Sequence, residues 1–151
     1  MLRSGLAWAP LLFCAWMQTA TAAEFQVQML NRGSDGQMQF APQLLKIAPG
    51  DTVHFLAIDK GHNAQSIDGM IPGGAKPFAG GIGEDLKITL TVPGVYGYRC
   101  NPHGSLGMVG LIVVGSPVNE EVAKTASVPG MARRVFAKLF QTLDTRTTAQ
   151  N

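Results

Sequence analysis

The stretch Val95-Tyr-Gly-Tyr-Arg-Cys100-Asn-Pro-His-Gly-Ser-Leu-Gly-Met108-Val-Gly-Leu-Ile-Val-Val114 holds two runs of strand formers, 95–100 and 109–114, around one short loop. Aromatic and β-branched residues suit a pleated, half-buried surface, so both flanks are predicted strands. The loop carries Cys100, His103 and Met108 in the pattern C-x2-H-x4-M. A strand that ends at Cys100 and another that starts after Met108 set a thiolate, an imidazole and a thioether at one end of a β-scaffold. Tyr96 and Tyr98 share the parity of Cys100 and are expected in the core.

Upstream the same signals repeat. Pro93-Gly94 is a turn, and before it Leu86, Ile88, Leu90 and Val92 alternate with Lys87, Thr89 and Thr91. That alternation is the mark of a strand with one buried face. Thr52 to Ile58 is rich in strand formers; Val53, Phe55 and Ala57 form its core-facing set, which leaves His54 on the surface with no metal role. Leu45 and Ile47 flank Lys46 and lead into the turn Pro49-Gly50-Asp51. Phe25, Val27 and Met29 alternate with Gln26 and Gln28, and Met38 and Phe40 belong to a second short strand beyond the turn Gly33-Ser-Asp-Gly36. Many short strands with Gly/Pro turns predict an all-β sandwich. The Gly-rich segment 70–83 reads as a long surface loop, with Glu84 and Asp85 beside it as solvated charges. After Gly115 the pattern turns helical. Glu120 and Glu121 precede Lys124 as the helix dipole favours. Beyond Pro129-Gly130, Val135, Leu139 and Leu143 recur every fourth residue beside Phe136 and Phe140, which predicts an amphipathic helix over 131–143. The domain is expected to span 23–144, with 145–151 a disordered tail.

The first residues read as an export leader. Met1-Leu-Arg3 is a short basic start, Leu6 to Met17 is apolar, and Ala20-Thr21-Ala22 fits a small-residue cleavage site. The apolar run is short for a membrane span of about 20 residues, which favours a cut after Ala22 over an anchor. The chain has 12 basic and 10 acidic residues, and only Arg3 leaves with the leader. So balanced a charge gives no basic field for nucleic acid. Of the two cysteines, Cys14 lies in the leader. Cys100 then has no internal disulfide partner in an oxidising compartment, and metal binding also accounts for the neighbouring His and Met.

A second imidazole is available from Gly61-His62-Asn63. Two His, one Cys and a weak Met make the trigonal-plus-axial set of a type 1, or blue, copper site. Taken singly, a buried Cys is more often a small core residue and a lone His structural; no such reading covers all four positions. A copper enzyme, such as a nitrite reductase or oxidase, needs an open metal position or a second metal. With His54 the only histidine beyond the ligands, a second three-histidine site cannot be built within one chain, so the protein is read as a non-enzyme. Copper storage or delivery is the alternative to electron carriage, though such sites favour exposed Met-rich or Cys-rich sets.

Asp59-Lys-Gly-His-Asn63, Gly69-Met-Ile-Pro72, Pro93-Gly-Val-Tyr-Gly97, Cys100-x-Pro-His103 and Met108-Val-Gly110 together resemble the pseudoazurins, bacterial cupredoxins, through essentially the whole mature chain. The resemblance implies an eight-stranded Greek-key β-sandwich of cupredoxin fold with two short C-terminal α-helices. It implies one type 1 copper ion held by His62, Cys100, His103 and Met108, with Asn63 bracing the two ligand loops. Pro102 and Met38 are then expected close to the ligand histidines. It further implies a monomeric periplasmic electron carrier, not stably associated with membrane after leader cleavage. Such a carrier docks redox proteins, a copper nitrite reductase or c-type cytochromes, through an apolar patch around His103. The chain departs from the family pattern at Gly104-Ser105-Leu106, where relatives often carry a bulkier residue or a second Met, and at His54, where Thr is usual. The lysine ring is thin; Lys60 and Lys76 are its remaining candidates.

Overall fold

The computed structural model describes residues 21–148, with side chains through 145. The leader read at 1–22 therefore lies, but for its last two residues, outside the described residues. Eight strands form among them: β1 (Glu24–Gly33), β2 (Gly36–Ala41), β3 (Leu44–Ile47), β4 (Thr52–Leu56), β5 (Gln65–Ser66), β6 (Leu86–Thr89), β7 (Gly94–Arg99) and β8 (Val109–Val114). They make two four-stranded sheets, ordered β2-β1-β4-β6 and β3-β8-β7-β5. Helices α1 (Glu120–Lys124) and α2 (Ala132–Thr148) follow. This is the expected cupredoxin sandwich.

Each sheet mixes local and distant pairings. β1 runs antiparallel to β2 across the Ser34-Asp35 turn and parallel to β4. β7 and β8 form the antiparallel hairpin that carries the metal-ligand loop, and β8 lies parallel to β3. Between the sheets, Val27, Met29, Phe40, Val53, Phe55, Tyr96, Tyr98 and Ile112 make the main core, which Cys100 and Met108 close at one end. Tyr98 meets Phe40 and Phe55 edge-on, with ring centroids at 4.8 and 5.1 Å. Its hydroxyl is buried without a partner, and burial pushes its pKa far above the usual tyrosine value. Gly110 makes room for that hydroxyl: a Cβ there would collide with Tyr98 Oη.

β8 is buried along its whole length. One face looks into the sandwich. From the other, Val109, Leu111 and Val113 pack with Val95 and Met70 against Ala132, Phe136, Leu139, Phe140 and Leu143 of α2. A strand covered on both faces reads as a continuous apolar run rather than an alternation, as Val109–Val114 does. No helix among the described residues is long and apolar enough to cross a membrane.

Four expectations need correction. α2 is 17 residues long, not short, and it continues through Thr148, so residues 145–148 of the expected tail are helical; 149–151 lie outside the described residues. β5 has no counterpart in the strand reading. The 70–83 segment is not wholly superficial: Met70 is buried, Phe78 stacks on Phe55 at 6.0 Å, and Ala79 bridges to Gln65. Asp85 is more than a solvated charge, because its carboxylate accepts the Ala57 N–H at 2.8 Å and lies 3.4 Å from His54 Nε2.

Candidate metal centre

The ligand loop is pinned at both ends by its own backbone. Cys100 N–H donates to Met108 O at 3.0 Å, and Met108 N–H donates to His103 O at 3.2 Å. Between them Gly104–Leu106 forms a single 3-10 turn that ends on Gly107 at φ 101°, a conformation that side chains other than glycine's resist. His62 arrives from a different connection, the one after β4. Asn63 ties the two together: its Oδ1 accepts Asn101 N–H at 2.7 Å, and its Nδ2 donates to Gly80 O at 3.0 Å. Asn63 thus hydrogen-bonds both to the loop that carries Cys100 and to the 70–83 loop. Asn63 is buried, where a pair of unmade hydrogen bonds costs more than it does in water.

The donors converge. His62 Nδ1 lies 3.0 Å from His103 Nδ1, and Cys100 Sγ lies 3.8 and 3.6 Å from these two nitrogens. All three atoms fall within 4.8 Å of one another. One ion bonded at about 2.0–2.1 Å to nitrogen and about 2.3 Å to sulfur, the lengths zinc shows, can reach all three donors at these separations. His62, Cys100 and Met108 are fully buried and His103 partly so. Met108 belongs to the same core cluster as Cys100. Thiolate, two imidazoles and a thioether fit a type 1 copper site better than one for a hard cation, which takes oxygen.

Asn31, at the far end of β1, is a site residue that sequence reasoning missed. His62 Nε2 hydrogen-bonds Asn31 Oδ1 at 2.9 Å. An oxygen acceptor there fixes the proton on Nε2 and leaves the Nδ1 lone pair for the metal. Asn31 is itself placed by Asp59, whose Oδ2 accepts Asn31 N–H at 2.7 Å. Burial pushes the His62 imidazole below the ordinary histidine pKa; His103 adds to this and Asp59 opposes it. The neutral ring so favoured is the form that binds metal. The only sequence signal for Asn31 is its parity with Val27 and Met29, a polar residue that continues an inward-facing set.

The remaining candidates divide. Met38 is half-buried against the core that holds Cys100 and Met108, at φ 49°. Pro102 is exposed on the ligand loop. Lys60 and Lys76 are both exposed, and Lys60 Nζ donates to Gly83 O at 2.9 Å. His54 stands apart from the donors on the first sheet, with its Nδ1 3.5 Å from Glu24 and its Nε2 beside Asp85. Leu106, in the ligand loop, is 57% exposed, and Met131, beside Gly107, is exposed too.

Comparison with known proteins agrees with this geometry. The family of copper-binding proteins called plastocyanin/azurin matches residues 27–115. The pseudoazurin of Paracoccus pantotrophus is 41% identical over 143 residues, which cover 93% of this chain and 99% of that protein. A pseudoazurin structure from Sinorhizobium superposes with a TM-score of 0.79 at 44% identity, covering 80% of this chain and 96% of that one. The pseudoazurin structure from Methylobacterium extorquens AM1 gives 0.77 at 40% identity, covering 80% and 98%.

Proposed function

The chain belongs to the plastocyanin/azurin family of copper-binding proteins and within it to the pseudoazurins, and on that premise we propose that it is a periplasmic electron carrier whose single copper is held by His62, Cys100, His103 and Met108. As a cupredoxin it is a copper electron-transfer protein. The observation that carries the ligand assignment is the convergence of two imidazole Nδ1 atoms and one thiolate, drawn from two loops and held by Asn31 and Asn63.

Bound copper supplies the Cu(II)/Cu(I) couple. The chain's own residues keep the donors where both oxidation states are tolerated. Asn31 prevents His62 from turning, Asn63 keeps the two loops at fixed separation, and the two-sided burial of β8 holds the strand that starts beside Met108. Donors that do not move make a small reorganisation cost. Electron transfer requires no open coordination position, whereas catalysis at a metal does. Buried donors also suit retention more than the rapid exchange a storage or delivery protein needs.

Copper nitrite reductase or c-type cytochromes are the proposed partners, by family likeness. Exposed Leu106 on the ligand loop supports an apolar contact beside the partly exposed His103. Lys60 and Lys76 would sit at its rim. Export rests on the leader pattern in residues 1–22.

The test is the visible spectrum of the mature protein with Cu(II) added. An intense thiolate-to-copper band is expected, and Cys100→Ser is expected to abolish it even where copper still binds. A colourless copper adduct of the unaltered protein, or a Cys100→Ser protein that stays intensely coloured, overturns the assignment.

A further inference from the structure

Asp51 is a buried carboxylate that the copper chemistry does not use. It lies at the start of β4, at the opposite end of that strand from the His62 connection, and is only 6% exposed. Its Oδ2 accepts Ala48 N–H at 2.8 Å and closes the turn before β4. Its Oδ1 accepts the backbone N–H of Ala23 at 2.8 Å. Ala23 is held there from its other side as well, since Thr52 N–H donates to Ala23 O at 2.8 Å. Glu24, the acidic residue next to Ala23 in the chain, is engaged by Lys87 at 3.0 Å and by His54. No basic side chain is paired with Asp51 among the described residues.

A turn-bracing aspartate needs one amide, and a buried charge without a counter-charge is costly. The counter-charge is one hydrolysis away. We infer that Asp51 is the seat of the mature chain's α-ammonium group, and that removal of the leader at the Ala22–Ala23 bond converts a hydrogen bond from an uncharged amide into an ion-paired clasp between the first residue and the core. In that step water adds across the peptide bond. Ala22 keeps the carboxyl group, and the Ala23 nitrogen takes up protons to become an ammonium on Asp51 Oδ1. A cut one residue earlier or later puts the ammonium on a nitrogen that Asp51 does not hold. The clasp therefore stabilises a chain that begins at Ala23 over chains cut one residue to either side. It joins the residues that lead into β1 and β4, a parallel pair that no hairpin connects.

The inference rests on residues 1–22 being an export leader. The test is made on chains produced without one, so the two readings fail separately: the mass of the exported protein reports the cut, and the chains below report the clasp. Urea unfolding is compared for the chain beginning at Ala23 and the same chain acetylated at its α-amine, which keeps an N–H but loses the charge. Both are repeated with Asp51→Asn. Acetylation is expected to lower the folding equilibrium constant on the order of tenfold with Asp51 present, the range of a charge-assisted hydrogen bond, and to have little effect in the Asp51→Asn background. Equal loss in both backgrounds, or none in either, overturns the clasp. The rate of reductive methylation of the α-amine gives a reading that does not need the variant to fold. It is expected about tenfold slower in the folded Ala23 chain than in urea, in line with that stabilisation; equal rates also overturn the proposal.

Discussion

Asn31 shows how much of a metal site can hang on a residue that binds no metal. Its amide oxygen fixes which nitrogen of His62 faces the other donors, and Asp59 fixes Asn31 in turn. Asn31→Ala is expected to leave the fold intact and to lower copper affinity about 10–100-fold, the usual consequence of losing a group that orients a ligand. Competition titration against a chelator of known affinity measures it; an unchanged affinity would remove Asn31 from the site. Gly110 and Tyr98 make a second residue-scale pair. Gly110→Ala forces a methyl group against Tyr98 Oη and is expected to destabilise by about 1–3 kcal/mol, the range of an overpacked core. In a Tyr98→Phe background, which removes the unpartnered hydroxyl, most of that loss should remain, because the ring carbon Cζ and the Gln43 carbonyl oxygen crowd the same position. Denaturant melts of the four proteins decide the matter, and a loss that vanishes with the hydroxyl would mean that the ring and the Gln43 carbonyl can give way.

At the scale of elements, legibility follows periodicity. β8 is readable because six apolar residues in a row need two covers, and the helix pattern over 131–143 supplies the second one. The ligand set is readable because its chemistry is rare and its order fixed. β5 is not readable: two residues have no period, and Gln65–Ser66 pairs with β7 only because the neighbouring loop delivers it there. The last turn of α2 is hidden for a different reason. Asp144-Thr-Arg-Thr-Thr148 carries no apolar stripe and several weak helix formers, yet Thr145 Oγ1 bonds back to Gln141 O at 3.0 Å and the turn continues. Asn31 and Asp85 escape a sequence reading because their partners lie far off in the chain, on the connection after β4 and at its edge. α2 itself carries a sharp expectation. Leu143, fully buried against β8, should cost about 2–5 kcal/mol when changed to Ala. The copper spectrum should stay the same, since the donors belong to the core on the opposite face of that strand. Urea unfolding with a parallel spectrum tests both halves, and a shifted copper band would show that the outer core reaches the site.

On the scale of the whole molecule, the site joins the two sheets. His62 follows β4 of one sheet, and the other three donors lie between β7 and β8 of the second. The outer surface is nearly neutral, with 12 basic against 10 acidic residues over the full sequence, so long-range steering of a partner should be modest. Electron-transfer rates with an acidic partner are expected to fall only mildly as salt rises, and removal of Lys60 and Lys76 together should slow association without altering the copper spectrum. Stopped-flow kinetics across ionic strength checks this. A steep salt dependence that survives the double change would put the docking face elsewhere.

The parallel pairings have a consequence in time. β1 closes on β4, and β3 waits for β8, some sixty residues further along the chain. Pairings between distant segments form slowly, because the loop between them must be closed before any contact rewards it. A polypeptide that emerges from the N-terminus onward cannot complete the second sheet until Val109–Val114 has emerged. Cys100 and His103 come through just ahead of that strand, so the last strand to arrive is also the one that closes the ligand loop. A chain that has emerged only as far as β7 therefore presents no finished site to an ion.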